Sequence, residues 1–178
     1  IFYKYLKLFM AKKSCYIVTK PIQYINSTNI EDNNDKDCII TKTFSDANAF
    51  VNDLQGRSNY WKNIIYVQSK HQALIDVLRR KSEYSNLYLY SDIGIIVRLI
   101  LILLYPINIY VYEEGLASYI PEVREKARCP NYLKIFIDTF LGKNWSGGSF
   151  RTKGIYLYHH KAFRSLVDKN KKIQLLQF

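Results

Sequence analysis

Short apolar runs rich in β-branched residues alternate with helical stretches along this chain, and that alternation limits the fold more than any other feature. Cys15–Thr19, Cys38–Thr43, Asn63–Gln68, Leu87–Tyr90 and Ile107–Tyr112 read as strands. Between them lie segments with helical spacing and start signals. Pro21 can occupy a first helical turn leading through Ile22, Tyr24 and Ile25. Ser45-Asp46 caps a helix over Ala47–Leu54 closed near Gly56, and Ser69 caps one carrying Ala73, Leu74, Val77 and Leu78. Asp92 opens an apolar helix that ends before Pro106. Strands that read as continuous apolar runs are covered on both faces, which requires a parallel sheet with right-handed helical crossovers. The expectation is an α/β fold: a Rossmann-like parallel sheet flanked by helices. After Gly115 the rhythm changes, with an amphipathic helix over Tyr132–Leu141, a flexible glycine-rich turn over Gly142–Thr152, a sixth strand at Gly154–His159 and a basic, helix-compatible tail over residues 161–178.

A sheet of this kind places ligands outside the carboxyl ends of its strands. Those ends are Thr19-Lys20-Pro21, Thr41–Thr43, Gln68-Ser69, Ser91-Asp92 and Glu113-Glu114-Gly115. The last carries two adjacent carboxylates at the end of an apolar strand, followed by a glycine that lets the backbone turn sharply. Like charges side by side and partial burial both raise a carboxylate's proton affinity, which poises it as a general base. The pair can equally well end the strand in solvent. His159-His160 point to opposite faces of a strand and have no third ligand nearby, so they read as ordinary histidines. Gly147-Gly148 matches neither a dinucleotide fingerprint nor a P-loop and reads as a flexible loop. No GxSxG or HExxH is present. These absences argue against a classical dehydrogenase, a P-loop NTPase, an elbow-type serine hydrolase and a zincin.

The 178 residues carry a formal net charge of +11, and residues 140–178 hold eight cations against the single anion Asp168. A basic end of this kind suits an anionic membrane surface, a nucleotide or an anionic glycan. Lys, Ile, Asn and Tyr are abundant together, so A/T-rich coding is a second source of the lysine excess. Nucleic acid is the less favoured partner, because the tyrosines fall mainly in strands and are not interleaved with arginine. Cys15, Cys38 and Cys129 have no metal spacing and read as buried free thiols of a reducing, cytoplasmic compartment. Ile93–Tyr105 is apolar but spans thirteen residues and includes Arg98, too short and too charged to cross a bilayer. Residues 1–9 lack a signal-peptide cleavage site and read as an upstream extension or an interfacial lead, with the natural start expected at Met10.

Two segments resemble one family. Cys15-Tyr-Ile-Val-Thr-Lys-Pro-Ile-Gln-Tyr-Ile-Asn26 is similar to the first strand, Thr/Ser-x-Pro-x-Gln turn and helix of bacterial sialyltransferases of glycosyltransferase family 52 and their polysialyltransferase relatives. Tyr112-Glu113-Glu114-Gly115-Leu-Ala-Ser-Tyr119 looks like the acidic Asp/Glu-Asp/Glu-Gly motif of the same enzymes. The resemblance covers roughly residues 14–160. It implies the N-terminal, acceptor-side half of a GT-B glycosyltransferase that transfers from a nucleotide sugar, CMP-sialic acid by analogy, to lipooligosaccharide or capsular glycan. Transfer would proceed with inversion and without metal or other cofactor. Carried over residue by residue, Glu113 is the general base and Glu114 its electrostatic neighbour, while Thr19, Pro21, Gln23, Gly115 and Ser118 line the acceptor side.

The family's second domain carries a His-Pro motif and a Ser/Thr-rich segment that bind the donor. This sequence contains no His-Pro pair. The expected organisation is therefore residues 1–9 as a lead, 10–160 as the acceptor-side domain, and 161–178 as a basic linker toward a donor domain beyond the chain. The location expected is cytoplasmic, with peripheral contact at the inner face of the cell membrane. The competing reading is a non-catalytic Rossmann-like module that binds a glycan or nucleotide.

Overall fold

The computed structural model describes residues 12–57, 59–113, 139–142, 146–159 and 172–176. Among them, β1 (Lys13–Val18), α1 (Pro21–Thr28), β2 (Lys36–Thr41), α2 (Ala47–Arg57), β3 (Asn63–Val67), α3 (Lys70–Arg79), β4 (Tyr84–Leu89), α4 (Ile95–Leu103), β5 (Asn108–Tyr112), β6 (Thr152–Leu157) and β7 (Lys172–Leu175) follow in order. All strand pairings are parallel, in the order β3-β2-β1-β4-β5-β6-β7. This is the doubly wound Rossmann-like arrangement, whose strand order reverses between β1 and β4. The expected fold class holds. Residues 172–175, expected within a helix-compatible basic linker, instead form the seventh strand and pair with β6 from Gly154↔Lys172 to Leu157↔Leu175. Helix α2 ends at Arg57, near the Gly56 expected to close it.

Each strand sends alternate residues to opposite faces, and the two faces differ chemically. Cys15, Ile17, Ile39, Leu87, Leu89, Ile109 and Val111 meet Ala73, Leu74 and Val77 of α3 and Val97 and Leu101 of α4 in an aliphatic core. The opposite face is aromatic. Register places Tyr16 beside Tyr88 and Tyr88 beside Tyr110. Their rings stack with centroids 4.4 and 5.1 Å apart, and Tyr156 and Trp61 close on them edge-first. Such pairs add about 0.5–1.5 kcal/mol each beyond area burial. Desolvation pushes the Tyr16, Tyr88, Tyr110 and Tyr156 hydroxyls above their ordinary proton affinity. Helices α1 and α2 lie on this face, with Val51 in its core and the partly buried Tyr24 packed against it.

Cys15 and Cys38 are both fully buried, one on each face. Burial is the main force raising their thiol pKa values, and only the thiolate reacts readily. Peptide mapping after alkylation of the native protein is expected to leave both unlabelled, with labelling appearing once denaturant opens the sheet. Rapid native labelling of either would contradict this packing.

The amino edge of the sheet is closed by charge pairing. The buried Asp37 carboxylate accepts from Asn63 Nδ2 at 2.7 Å, Tyr84 OH at 2.9 Å, Arg80 Nη2 at 3.0 Å and Lys13 Nζ at 3.4 Å. Arg80 also bonds Glu83, which lowers the pKa of that carboxyl. A buried carboxylate is tolerated only when paired and hydrogen-bonded in this way. The opposite, carboxyl edge is where the chemistry-bearing residues gather.

Candidate functional site

The strand order reverses between β1 and β4, and in open parallel sheets ligands are taken up outside the carboxyl ends of the strands at such a reversal. Residue 19 leaves β1 there, residues 90–92 leave β4, Glu113 leaves β5 and Tyr158 leaves β6. Lys70 of α3 reaches the end of β4. Its ammonium donates to the Ser91 carbonyl at 2.7 Å and lies 4.6 Å from the centre of the Tyr90 ring.

At the first motif, Pro21 occupies the opening turn of α1, where its missing N–H costs nothing, and it is exposed. Gln23 is fully buried, and its side-chain carbonyl accepts from the Thr19 amide at 2.7 Å and the Thr19 hydroxyl at 2.9 Å. Thr43 donates from its hydroxyl to the Thr19 carbonyl. Of the acceptor-lining residues expected here, Thr19 and Gln23 are thus turned toward each other in a strand-to-helix staple. Replacing Gln23 with leucine leaves the Thr19 N–H buried without its acceptor and is expected to cost about 1–3 kcal/mol. Urea unfolding would register this as a lower midpoint with unchanged slope. An unchanged midpoint would show that the staple is not holding the turn.

Helix α1 buries polar residues and exposes apolar ones. Gln23, Asn26 and Ser27 face inward, while Ile22 and Ile25 are about half exposed. The inward amides explain the inversion. Asn26 Nδ2 donates to the Glu113 carbonyl at 2.8 Å, and the Tyr158 hydroxyl donates to Asn26 Oδ1 at 2.9 Å. Asn29 Nδ2 donates to the Tyr158 hydroxyl at 3.1 Å.

Glu113 sits inside this network. It is 6% exposed, its amide donates to the Tyr156 carbonyl at 2.9 Å, and its Oε2 accepts from the Tyr158 amide at 2.9 Å. The Tyr158 amide thereby orients the carboxylate against the end of β6. A positioned carboxylate is the kind of group that can take a proton from a nearby hydroxyl. Thr19 and Glu113 lie at the ends of strands two positions apart, about 10 Å by strand spacing. Glu114, Gly115 and Ser118 fall outside the described residues, as do Cys129 and His160; His159 is exposed. Among the described residues, no three His, Cys, Asp or Glu side chains come together as a metal site.

A second polar centre lies beside this edge and corrects two expectations. Asp92 does not cap the helix after it: α4 begins behind Gly94, with no side-chain cap. The buried Asp92 carboxylate instead accepts from the Gly147 amide at 2.6 Å, the Ser149 amide at 2.9 Å and the Thr152 hydroxyl at 2.7 Å. The segment expected to be a flexible loop is therefore fastened, with Gly147, Gly148 and Ser149 all buried. Arg98 is buried alongside, donating to the Asp92 carbonyl at 3.2 Å and to the Gly142 carbonyl. Gly142 has φ +87°, and a Cβ there would run into the Gly148 carbonyl and stand 2.7 Å from the Phe150 nitrogen. Only glycine fits.

Asn26, Asn29, Lys70 and Tyr158 were not singled out from the sequence. Of these, Asn26 alone has a sequence trace, its position one helical turn after Gln23. Comparison with protein-family models, with curated proteins and with solved structures finds no match to this chain.

Proposed function

We propose that this chain is the acceptor-binding half of an inverting, sialyltransferase-like glycosyltransferase that modifies a cell-surface lipooligosaccharide or capsular glycan. In this reading Glu113 removes the proton from the acceptor hydroxyl as its oxygen attacks the anomeric carbon of a nucleotide sugar. The new glycosidic C–O bond forms on the face opposite the breaking C–O bond, and the nucleotide leaves with that bond's electron pair. CMP-sialic acid is the donor by resemblance. No metal enters the step.

The observation that carries the reading is the Glu113 carboxylate, buried and oriented by the Tyr158 amide at the carboxyl edge. It is supported by the convergence of two segments far apart in sequence. The helix opened by Thr19-Lys20-Pro21 reaches the Glu113 backbone through Asn26. One observation favours the competing reading, a non-catalytic glycan-binding module: Glu113 bonds β6 through both its amide and its carboxylate, as a clasp between strands does.

The test uses the protein expressed from its complete gene, incubated with CMP-sialic acid and galactose-terminated glycans. Acceptor mass is followed by mass spectrometry and CMP release by chromatography. Sialylated acceptor supports the transferase. Saturable glycan binding with no mass shift supports the module, and neither binding nor transfer overturns both.

A further inference from the structure

Helix α4 exposes a stripe that nothing among the described residues covers. Ile96, Leu99 and Leu103 recur at helical spacing on one side and are 62%, 49% and 59% exposed, and Tyr105 beyond the helix is 70% exposed. An apolar stripe of this kind on a water-facing helix marks a contact surface. The opposite side of the same helix is packed into the core through Val97 and Leu101, so the stripe is not what holds α4 against the described sheet.

The charges decide what the stripe fits. From Ile93 through Tyr112 the sequence has no acidic residue, and its one cation, Arg98, is buried and bonded to backbone carbonyls. The rim is cationic. Arg151 donates to the Leu101 and Ile107 carbonyls and sits 5.4 Å from the centre of the Tyr105 ring. Lys153 is exposed on β6, two residues beyond Arg151, whereas Arg79 at the end of α3 is paired with Asp76 at 3.4 Å. An uncharged centre, an amphipathic tyrosine at one end and cations at the margin match the layers of an anionic lipid surface: acyl chains, interface and headgroups. Nine residues rise about 13.5 Å, less than half of a bilayer core, and no helix among the described residues is long and apolar enough to cross a membrane. The helix can only lie in the plane of the interface.

We propose that the outer face of α4 seats the protein on an anionic membrane surface, with Ile96, Leu99, Leu103 and Tyr105 entering the interface and Arg151 and Lys153 meeting acidic headgroups. The proposal stands apart from the role given to Glu113, and its test involves no transfer chemistry. Co-sedimentation is measured with vesicles of phosphatidylcholine alone and of phosphatidylcholine with phosphatidylglycerol. Wild-type protein is expected to bind the phosphatidylglycerol vesicles preferentially, more weakly as salt rises. The double variant Ile96→Gln/Leu103→Gln is expected to bind at least ~10-fold more weakly, with an unchanged thermal transition because both residues are exposed. Lack of preference for phosphatidylglycerol, or equal binding by wild type and variant, overturns the proposal. So does a dimer, seen by light scattering, that the same two substitutions dissolve, which would assign the face to a second copy of the chain.

Discussion

Replacing Asp92 with alanine is expected to destabilise the fold by about 3–5 kcal/mol, because several buried hydrogen bonds to one charged acceptor are lost at once. Three donors lose their acceptor together: the Gly147 and Ser149 amides and the Thr152 hydroxyl. Each unsatisfied buried donor costs about 1–3 kcal/mol, and the terms are not additive because the freed segment can move toward water. For a domain of this size the change corresponds to a fall in Tm of roughly 10 °C. The loss is also local. Residues 147–152 lead directly into β6, which carries Tyr156 and holds Tyr158 at the edge beside Glu113. Hydrogen exchange is therefore expected to accelerate first at Gly147 and Ser149 and then along β6, ahead of the β1–β2 pair. A melting temperature within a degree or two of wild type, with those amides still protected, would show that the carboxylate is not what holds the segment.

Arg98 belongs to the same centre, and its place shows which parts of the fold are legible in the sequence. The strands are legible because apolar, β-branched runs such as Cys15–Val18 and Ile109–Val111 have no other low-cost environment than a sheet covered on both sides. The helix starts at Pro21 and Ser69 are legible because the signals are local; Ser69 Oγ does accept the Gln72 amide. β7 is not legible, because Lys172–Leu175 alternates too briefly inside a basic stretch and becomes a strand only once β6 offers an edge. The roles of Asp92 and Arg98 are not legible either. A single aspartate before a helix normally reads as a cap, and its true partners lie more than fifty residues downstream in a segment that, taken alone, has turn composition.

The candidate site divides in the same way. That Glu113 ends an apolar strand can be read locally. That Tyr158 orients it and Asn26 ties it to α1 depends on contacts 45 and 87 residues apart. The polar inner face of α1 runs against the usual amphipathic pattern. Periodicity alone would have buried Ile22 and Ile25 and exposed Gln23 and Asn26. The reversal follows from what lies beneath the helix, where backbone carbonyls and a tyrosine hydroxyl at the strand ends demand amide partners. At α1 the local pattern is contradicted where the helix meets the carboxyl edge of the sheet, the kind of departure expected at a functional site.

In the transfer assay, Glu113→Gln is expected to lower kcat by about 10²–10⁴-fold, the usual contribution of a positioned general base. The substitution is informative because it separates chemistry from architecture. Glutamine keeps a carbonyl oxygen where Oε2 accepts the Tyr158 amide, and it leaves the main-chain bonds to Tyr156 and Asn26 untouched. The fold and the carboxyl edge should survive, so KM for the acceptor and the thermal transition are expected to stay close to wild type while turnover falls. Tyr158→Phe supplies the contrast. It removes the hydroxyl that joins Asn26 and Asn29 but keeps the amide that holds the carboxylate. A positioning role predicts a smaller loss of kcat than Glu113→Gln, together with a measurable loss of stability. If Glu113→Gln turns over at the wild-type rate, the carboxylate serves only as the clasp between β5 and β6 and the base must be sought elsewhere. If instead kcat and stability fall together, the residue is architectural first and its catalytic assignment loses its support. Only a fall in kcat with KM and stability retained is the signature of a group that acts on the reacting hydroxyl itself.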